Sequence, residues 1–287
     1  MHIGHRPHLD TVVILKAFDA NDEFCGAGTG FFCYARHSHR RTRKLLFLVT
    51  NAHVVGRVRR RFDVLFRPPG AEEAFVYSVT AKSGAGPGTW FTAEYCDIAA
   101  LLLDATQIPD EIQVRAFDVE TDTLSIRELR QAGIAEGAEG RLVGFVEAAR
   151  GTRLEYPAYR SVTLAQIPRR WGLITPLFVE GTAFPGNSGS PVILKPEPGF
   201  GQRPNTDPDG KLIGITRAVG STWSMGLLDG DRAPIEVDEN ATIVHLVPVD
   251  DLRALLHRAV GRTILAETFG AMVQKVRSWL PQRKTAD

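Results

Sequence analysis

Twelve short apolar runs constrain this chain more than any other feature. Six come first: Thr11–Lys16, Thr29–Tyr34, Lys44–Thr50, Phe62–Phe66, Phe75–Ala81 and Ile98–Leu103. Six more follow: Arg141–Val146, Arg160–Ile167, Leu177–Glu180, Pro191–Leu194, Leu212–Ala218 and Thr242–Val247. They are rich in Val, Ile, Leu and Phe and bounded mostly by Gly, Pro or charged clusters, which is how strands read. No helical pattern alternates with them, so a doubly wound parallel sheet is excluded. Two sets of about six strands at short spacing predict an all-β fold, as paired barrels or a sandwich.

Between the two sets lies Ser125-Ile-Arg-Glu-Leu-Arg-Gln-Ala132, where Ser125 and Glu128 stand at capping-box spacing. A short linking helix is expected there. The expected division is an N-terminal barrel over 8–120, a linker over 121–136, a C-terminal barrel over 137–249 and a helical extension over 250–287. The last part changes period. Leu252, Leu255 and Leu256 predict one amphipathic helix over Asp250–Ala259. Ile264, Leu265, Phe269, Met272, Val273, Val276 and Trp279 predict a second over Arg262–Leu280. Each would dock on the core or meet a second copy or a partner. Pro196–Asp209 reads as a long surface loop, and 220–241 as another.

Composition removes whole classes. With 287 residues, 44% hydrophobic content and 34 Lys/Arg against 33 Asp/Glu, the chain is no disordered, collagen-like or coiled-coil protein. No apolar run approaches the roughly 18 residues of a transmembrane helix, and the N-terminus lacks the apolar stretch of a signal peptide. A cytoplasmic protein without a membrane partner is expected. Cys25, Cys33 and Cys96 form no CxxC or Cys/His spacing, so reduced thiols are expected and no metal or cofactor is implied. The balanced total hides a split. Residues 1–70 carry 12 Lys/Arg and 5 Asp/Glu, and the remainder carry 22 and 28. The excess sits in Arg36–Lys44 and Arg57–Arg61, either as solvated loops or as a docking patch for a regulatory partner. No aromatics interleave with it, so nucleic acid is not expected.

Three strings carry chemistry. Gly186-Asn-Ser-Gly-Ser-Pro191 sets Ser188 between small residues directly before a strand, which suits a nucleophile on a tight turn. In such a loop the N–H groups of Gly186 and Ser188 converge on one point. A serine hydroxyl needs a base, and Leu48-Val-Thr-Asn-Ala-His53 runs an apolar strand into a turn that presents a histidine. The imidazole needs an orienting acid, and Asp97 opens the apolar segment Asp97-Ile-Ala-Ala-Leu-Leu-Leu103. A carboxylate in such company needs a partner, because an unpaired buried charge is costly.

Together, Thr50-Asn-Ala-His53, Asp97-Ile-Ala-Ala-Leu and Gly186-Asn-Ser-Gly-Ser-Pro191, in that order, resemble the trypsin-like (chymotrypsin-fold) serine peptidases over roughly residues 10–258. Gly26-Ala-Gly-Thr-Gly-Phe31, Leu142-Val-Gly-Phe145, Leu212-Ile-Gly-Ile-Thr216 and Val244-His-Leu-Val-Pro-Val249 look like the bacterial Deg/HtrA-type branch, without its PDZ domain. The resemblance implies two six-stranded antiparallel barrels with a cleft between them. It implies a serine endopeptidase acting on protein or peptide substrates through an acyl-enzyme. Ser188 would be the nucleophile, His53 the base and Asp97 its orienting acid. Gly186, Asn187 and Ser188 would form the oxyanion hole, and Thr182, Ala183, Thr216, Arg217 and Ala218 the substrate cleft.

Two positions depart from the digestive branch. Asn187 stands where an aspartate pairs with a newly cut N-terminus, so no such activation switch is expected. Thr182 stands at the expected base of the primary pocket, so a Lys or Arg side chain would find no counter-charge. Small or medium apolar residues are expected before the scissile bond, with acidic ones favoured if Arg217 turns into the pocket. The alternative function is a latent or weakly catalytic module that a partner activates, or a scaffold.

Overall fold

The structure is a computed structural model. It describes residues 8–36, 44–56, 61–66, 73–109, 114–145, 157–168, 177–184, 186–195, 210–217, 222–228, 231–237 and 242–279. The bulk of the basic loop (37–43), 57–60, the loop 196–209 and Ala218 lie outside the described residues.

The first half is one antiparallel sheet. Its strands are β1 (Val12–Phe18), β2 (Phe24–Arg36), β3 (Lys44–Thr50), β4 (Arg61–Phe66), β5 (Phe75–Thr80), β6 (Trp90–Thr92) and β7 (Ala99–Leu102). They lie in the order β5-β4-β1-β2-β3-β7-β6, and the two-residue β8 (Phe117–Asp118) pairs parallel with β2. The β1–β2 hairpin is closed by Asp19, whose carboxylate accepts the N–H groups of Asn21 (2.7 Å) and Glu23 (2.9 Å). Alternation divides the buried side chains between the two faces: Val13, Leu15, Leu48, Phe62 and Leu101 share one cluster, and Val12, Phe31, Phe47, Val49 and Leu102 another.

A closed six-stranded barrel was expected here, and this sheet is a half-barrel. Its two edge strands, β5 and β6, are consecutive and touch at a single bridge, Lys82 to Thr89. The connection contains Gly84, Gly86, Pro87 and Gly88. Glycine weakens a strand and proline cannot donate to a ladder, so closure stops at that bridge. The strands β6 and β8, too short to register as apolar runs, are additions to the expected set.

The second half closes fully. The strands β9 (Glu139–Gly144), β10 (Ala158–Gln166), β11 (Leu177–Glu180), β12 (Pro191–Leu194), β13 (Lys211–Thr216) and β16 (Ile243–Pro248) form a barrel in the order β10-β11-β16-β13-β12-β9. Between β13 and β16 the chain forms a separate hairpin, β14 (Thr222–Leu228) with β15 (Asp231–Val237). A loop was expected there. The Asp229-Gly230 pair between the two strands is a strong hairpin signal. Leu142, Leu164, Leu177, Val192 and Leu246 fill the barrel.

Among the described residues there are three α-helices: α1 (Ala52–Val55), α2 (Ile126–Gln131) and α3 (Val249–Trp279). The linker helix α2 carries the expected capping box, with Ser125 and Glu128 each bonded to the other's backbone N–H. The two expected C-terminal helices are one. Gly261, at their junction, costs only about 1 kcal/mol inside a helix, and the flanking Ala259, Val260 and Ile264 are buried. Val249, Leu252, Leu255, Leu256, Ala259, Val260 and Ile264 pack against Phe31, Phe47, Val143, Ile193, Ile215 and Val247 in one cluster drawn from both halves. Beyond Ile264 the apolar Leu265, Phe269 and Met272 are exposed. Arg253 pins α3 to the linker through Thr123 Oγ1 (2.9 Å) and Glu128 (2.9 Å).

The ends of the basic loop have structural partners. Arg36 and Lys44 both pair with Asp118, at 2.5 and 3.2 Å. The three cysteines are free, with Cys33 buried and Cys25 exposed. Among the described residues no helix is long and apolar enough to cross a membrane.

Candidate active site

The site forms where the half-barrel meets the barrel. Strand β3 ends at Thr50, and Asn51 leads into the single turn α1, which carries His53. Across from it, Asp97 sits just before β7. Its carboxylate accepts the His53 backbone N–H at 3.0 Å and faces the imidazole Nδ1 at 2.6 Å. Its own carbonyl accepts from Asn51 Nδ2 at 2.8 Å. Burial pushes the Asp97 carboxyl up, but the two hydrogen bonds from His53, with its charge and that of Arg217, outweigh this and hold it below its ordinary value. An ionised carboxylate only accepts, so Nδ1 is the nitrogen that carries the proton in this contact. The Asp97 side chain is 15% exposed and that of His53 is 43% exposed, so the imidazole is the more accessible of the two.

Ser188 reaches the same seam through its backbone. Its carbonyl accepts the Thr29 N–H at 2.9 Å. The adjacent Gly28 lies against Val54, the residue after His53: a Cβ there would sit 2.8 Å from Val54 Cγ1 and 3.5 Å from the Ser188 carbonyl. Among the described residues, Ser188 Oγ makes no hydrogen bond to His53. Catalytic hydrogen bonds are often long without substrate.

The loop around Ser188 is shaped by two glycines in the left-handed region, Gly186 (φ 92) and Gly189 (φ 88). A Cβ on Gly189 would collide with the Thr29 carbonyl and Thr50 Oγ1, so only glycine fits. Among the described residues the N–H groups of Gly186 and Ser188 have no acceptor, whereas the Asn187 N–H donates to the Phe184 carbonyl at 3.0 Å. Two of the three expected oxyanion-hole residues thus offer a free donor. Asn187 is fully buried and acts as a brace: its Nδ2 donates to the Phe145 carbonyl (2.7 Å) and its Oδ1 accepts from the Phe184 N–H (2.8 Å) and from Arg160.

The expected substrate residues divide. Thr182 is exposed and Ala183 buried, both just before the nucleophile loop. Thr216 is buried with its backbone committed: its N–H donates to Ser190 (2.8 Å) and its carbonyl accepts from Gly189 (3.1 Å). Thr216 therefore anchors the loop to β13. Arg217 is exposed and turns toward the histidine pair, its Nε 4.0 Å from Asp97 Oδ2.

Residue-level reading of the sequence missed a residue that ties the two halves together in the seam, Thr29. It is fully buried. Its hydroxyl donates to the Gly186 carbonyl (2.7 Å) and accepts the Phe145 N–H (3.1 Å). Its N–H donates to Ser188, and its carbonyl accepts from Thr50 Oγ1 at 2.8 Å. The glycine-rich string Gly26–Phe31 marked the place, but nothing local assigns that role to the threonine within it.

The topology is a closed six-stranded barrel beside a half-open one. No protein-family model matches the chain, and no curated protein matches it. Among solved structures, that of a mutant tobacco etch virus protease is similar over 88% of this chain and 82% of its own, at 11% identity and a TM-score of 0.43.

Proposed function

We propose that the chain is a serine endopeptidase of the trypsin-like kind, with the Deg/HtrA-type strings of its sequence as its nearest resemblance. The observation that carries this reading is the seam itself. A part-buried carboxylate accepts the His53 backbone N–H and faces its Nδ1, beside a glycine-shaped loop whose Gly186 and Ser188 N–H groups are free among the described residues. In the proposed reaction Ser188 Oγ attacks a peptide carbonyl while His53 Nε2 takes its proton. The tetrahedral oxyanion is held by the two free N–H groups, each donor being worth roughly 3–4 kcal/mol in the transition state. His53 then protonates the leaving amine, and water releases the acyl group by the reverse path. Asp97 holds the tautomer and stabilises the imidazolium. With Thr182 at the pocket, small or medium apolar side chains precede the scissile bond. The cations of the 36–44 loop are a surface for a regulatory partner.

The test is a fluorophosphonate probe applied to the purified chain and to Ser188→Ala. Labelling of the wild type alone is the expected result. Labelling that appears only with cell extract would favour a latent enzyme. No labelling under either condition, together with no cleavage in a peptide library, would overturn the reading in favour of a scaffold.

A further inference from the structure

One side chain outside the triad touches three parts of the nucleophile loop at once. Arg160 projects from β10. Its Nη1 donates to Asn187 Oδ1 and to the Thr182 carbonyl (3.3 Å), and its guanidinium lies 4.7 Å from the centre of the Phe184 ring. Among the described residues no carboxylate pairs with it, and its Nη2 is buried without a partner. The residue is half-buried, and a guanidinium held only by a carbonyl, an amide and a ring face gives up part of its hydration without an ionic partner. Its neighbours must supply something in return.

What they form is a rigid loop. Asn187 and Phe184 exchange two hydrogen bonds, N–H to carbonyl at 3.0 Å and N–H to Oδ1 at 2.8 Å. This closes the turn that delivers Gly186 and Ser188. Arg160 reaches this turn from β10, through Asn187 Oδ1, the Thr182 carbonyl and the Phe184 ring. The amide at 187 is also chemically dictated. Its Nδ2 faces the Phe145 carbonyl, where a carboxylate would set oxygen against oxygen.

We infer that Arg160 is a positioning residue that holds the Thr182–Asn187 loop in the shape that turns the Gly186 and Ser188 N–H groups toward the cleft. The inference rests on the proposed peptidase reading for its kinetic consequence, but not for its structural one. The loop is braced by a guanidinium acting on the Asn187 and Thr182 dipoles. The brace bears on the transition state and not on substrate capture, because the oxyanion donors bind charge that develops only during reaction.

Arg160→Met and Arg160→Lys test it by two measurements. The first is hydrogen–deuterium exchange of peptides covering 182–190, which needs no activity. Exchange there should quicken in Arg160→Met while peptides from β1–β3 stay as in the wild type, with Arg160→Lys between. Unchanged exchange at 182–190 would overturn the inference. So would faster exchange everywhere, since that reports a loss of overall stability. The second is steady-state kinetics. In Arg160→Met kcat should fall on the order of 10–100-fold with KM within about threefold, and methylguanidinium should restore part of kcat in Arg160→Ala. A rise in KM with unchanged kcat would instead make Arg160 a substrate-binding group and overturn the positioning role. A wild type that neither turns over nor labels would refute the peptidase reading, and exchange would still decide the role of Arg160.

Discussion

Replacing Thr29 by valine tests whether the two halves are coupled through one hydroxyl. The change keeps the branched shape and removes a donor and an acceptor. The Phe145 N–H, buried and bonded to Thr29 Oγ1 at 3.1 Å, loses its partner where water cannot replace it. Such an orphan costs about 1–3 kcal/mol. The Gly186 carbonyl, bonded at 2.7 Å and part-buried, recovers some solvation, so its loss is about 0.5–1.5 kcal/mol. Together these give a destabilisation of about 2–4 kcal/mol. Urea unfolding followed by tryptophan fluorescence should show the midpoint lowered by roughly 1 M, for an m-value near 3 kcal/mol/M in a chain of this size. The slope should not change. Thr29→Ser keeps both bonds and loses one methyl, so it should stay within about 1 kcal/mol of the wild type. A valine variant within about 0.5 kcal/mol of the wild type would refute the accounting. So would a serine variant as damaged as the valine one.

Two further outcomes follow from the described contacts. Burial alone would raise the Asp118 carboxyl, but Arg36, the Glu120 N–H and Lys44 outweigh it and hold it below its ordinary value. A depressed folded value contributes stability that is present above about pH 4 and is lost as pH falls through the folded value. Asp118→Asn should therefore be less stable than the wild type at neutral pH and converge on it in acid, as urea midpoints measured across pH will show. A gap that does not change with pH would contradict this. Leu256 is fully buried where α3 meets both halves, so Leu256→Ala should cost about 2–5 kcal/mol. Its thermal unfolding should remain a single transition, since the cluster it leaves is shared, and a split transition would contradict the shared core.

The pairing of His53 with Asp97 was legible in the sequence, and so were the two sets of strands, but not the half-open first sheet. His53, Asp97 and the Gly186–Ser190 loop are legible because each needs particular residue types in a short stretch: a strand end, an acid beside apolar residues, glycines around a serine. The open first barrel was not legible, because closure depends on whether β5 and β6 form a ladder. Apolar patterning says nothing of that, although the glycines at 84, 86 and 88 did. The α3 helix was split at Gly261 because a glycine penalises a helix locally, while the packing of Ala259, Val260 and Ile264 that overrides it is tertiary. Arg160 was out of reach for a different reason. It meets a loop more than twenty residues away, and no local pattern marks an arginine in a strand as one that turns inward.

The cluster that joins Phe31 and Phe47 to Val143, Ile193 and the first turns of α3 has a consequence for the chain as it folds. His53 and Asp97, the base and its acid under the proposed reading, belong to the first half, and the Ser188 loop to the second. The loop takes its anchors from Thr29 and Thr216, one on each side. A chain folded in its first half alone holds an imidazole with nothing to activate. A chain folded in its second half alone holds a serine without a base and a loop missing one of its anchors. Under the proposed reading, reactivity appears only once synthesis has passed the last shared residue of α3. The fold would then protect its surroundings from its own half-made copies.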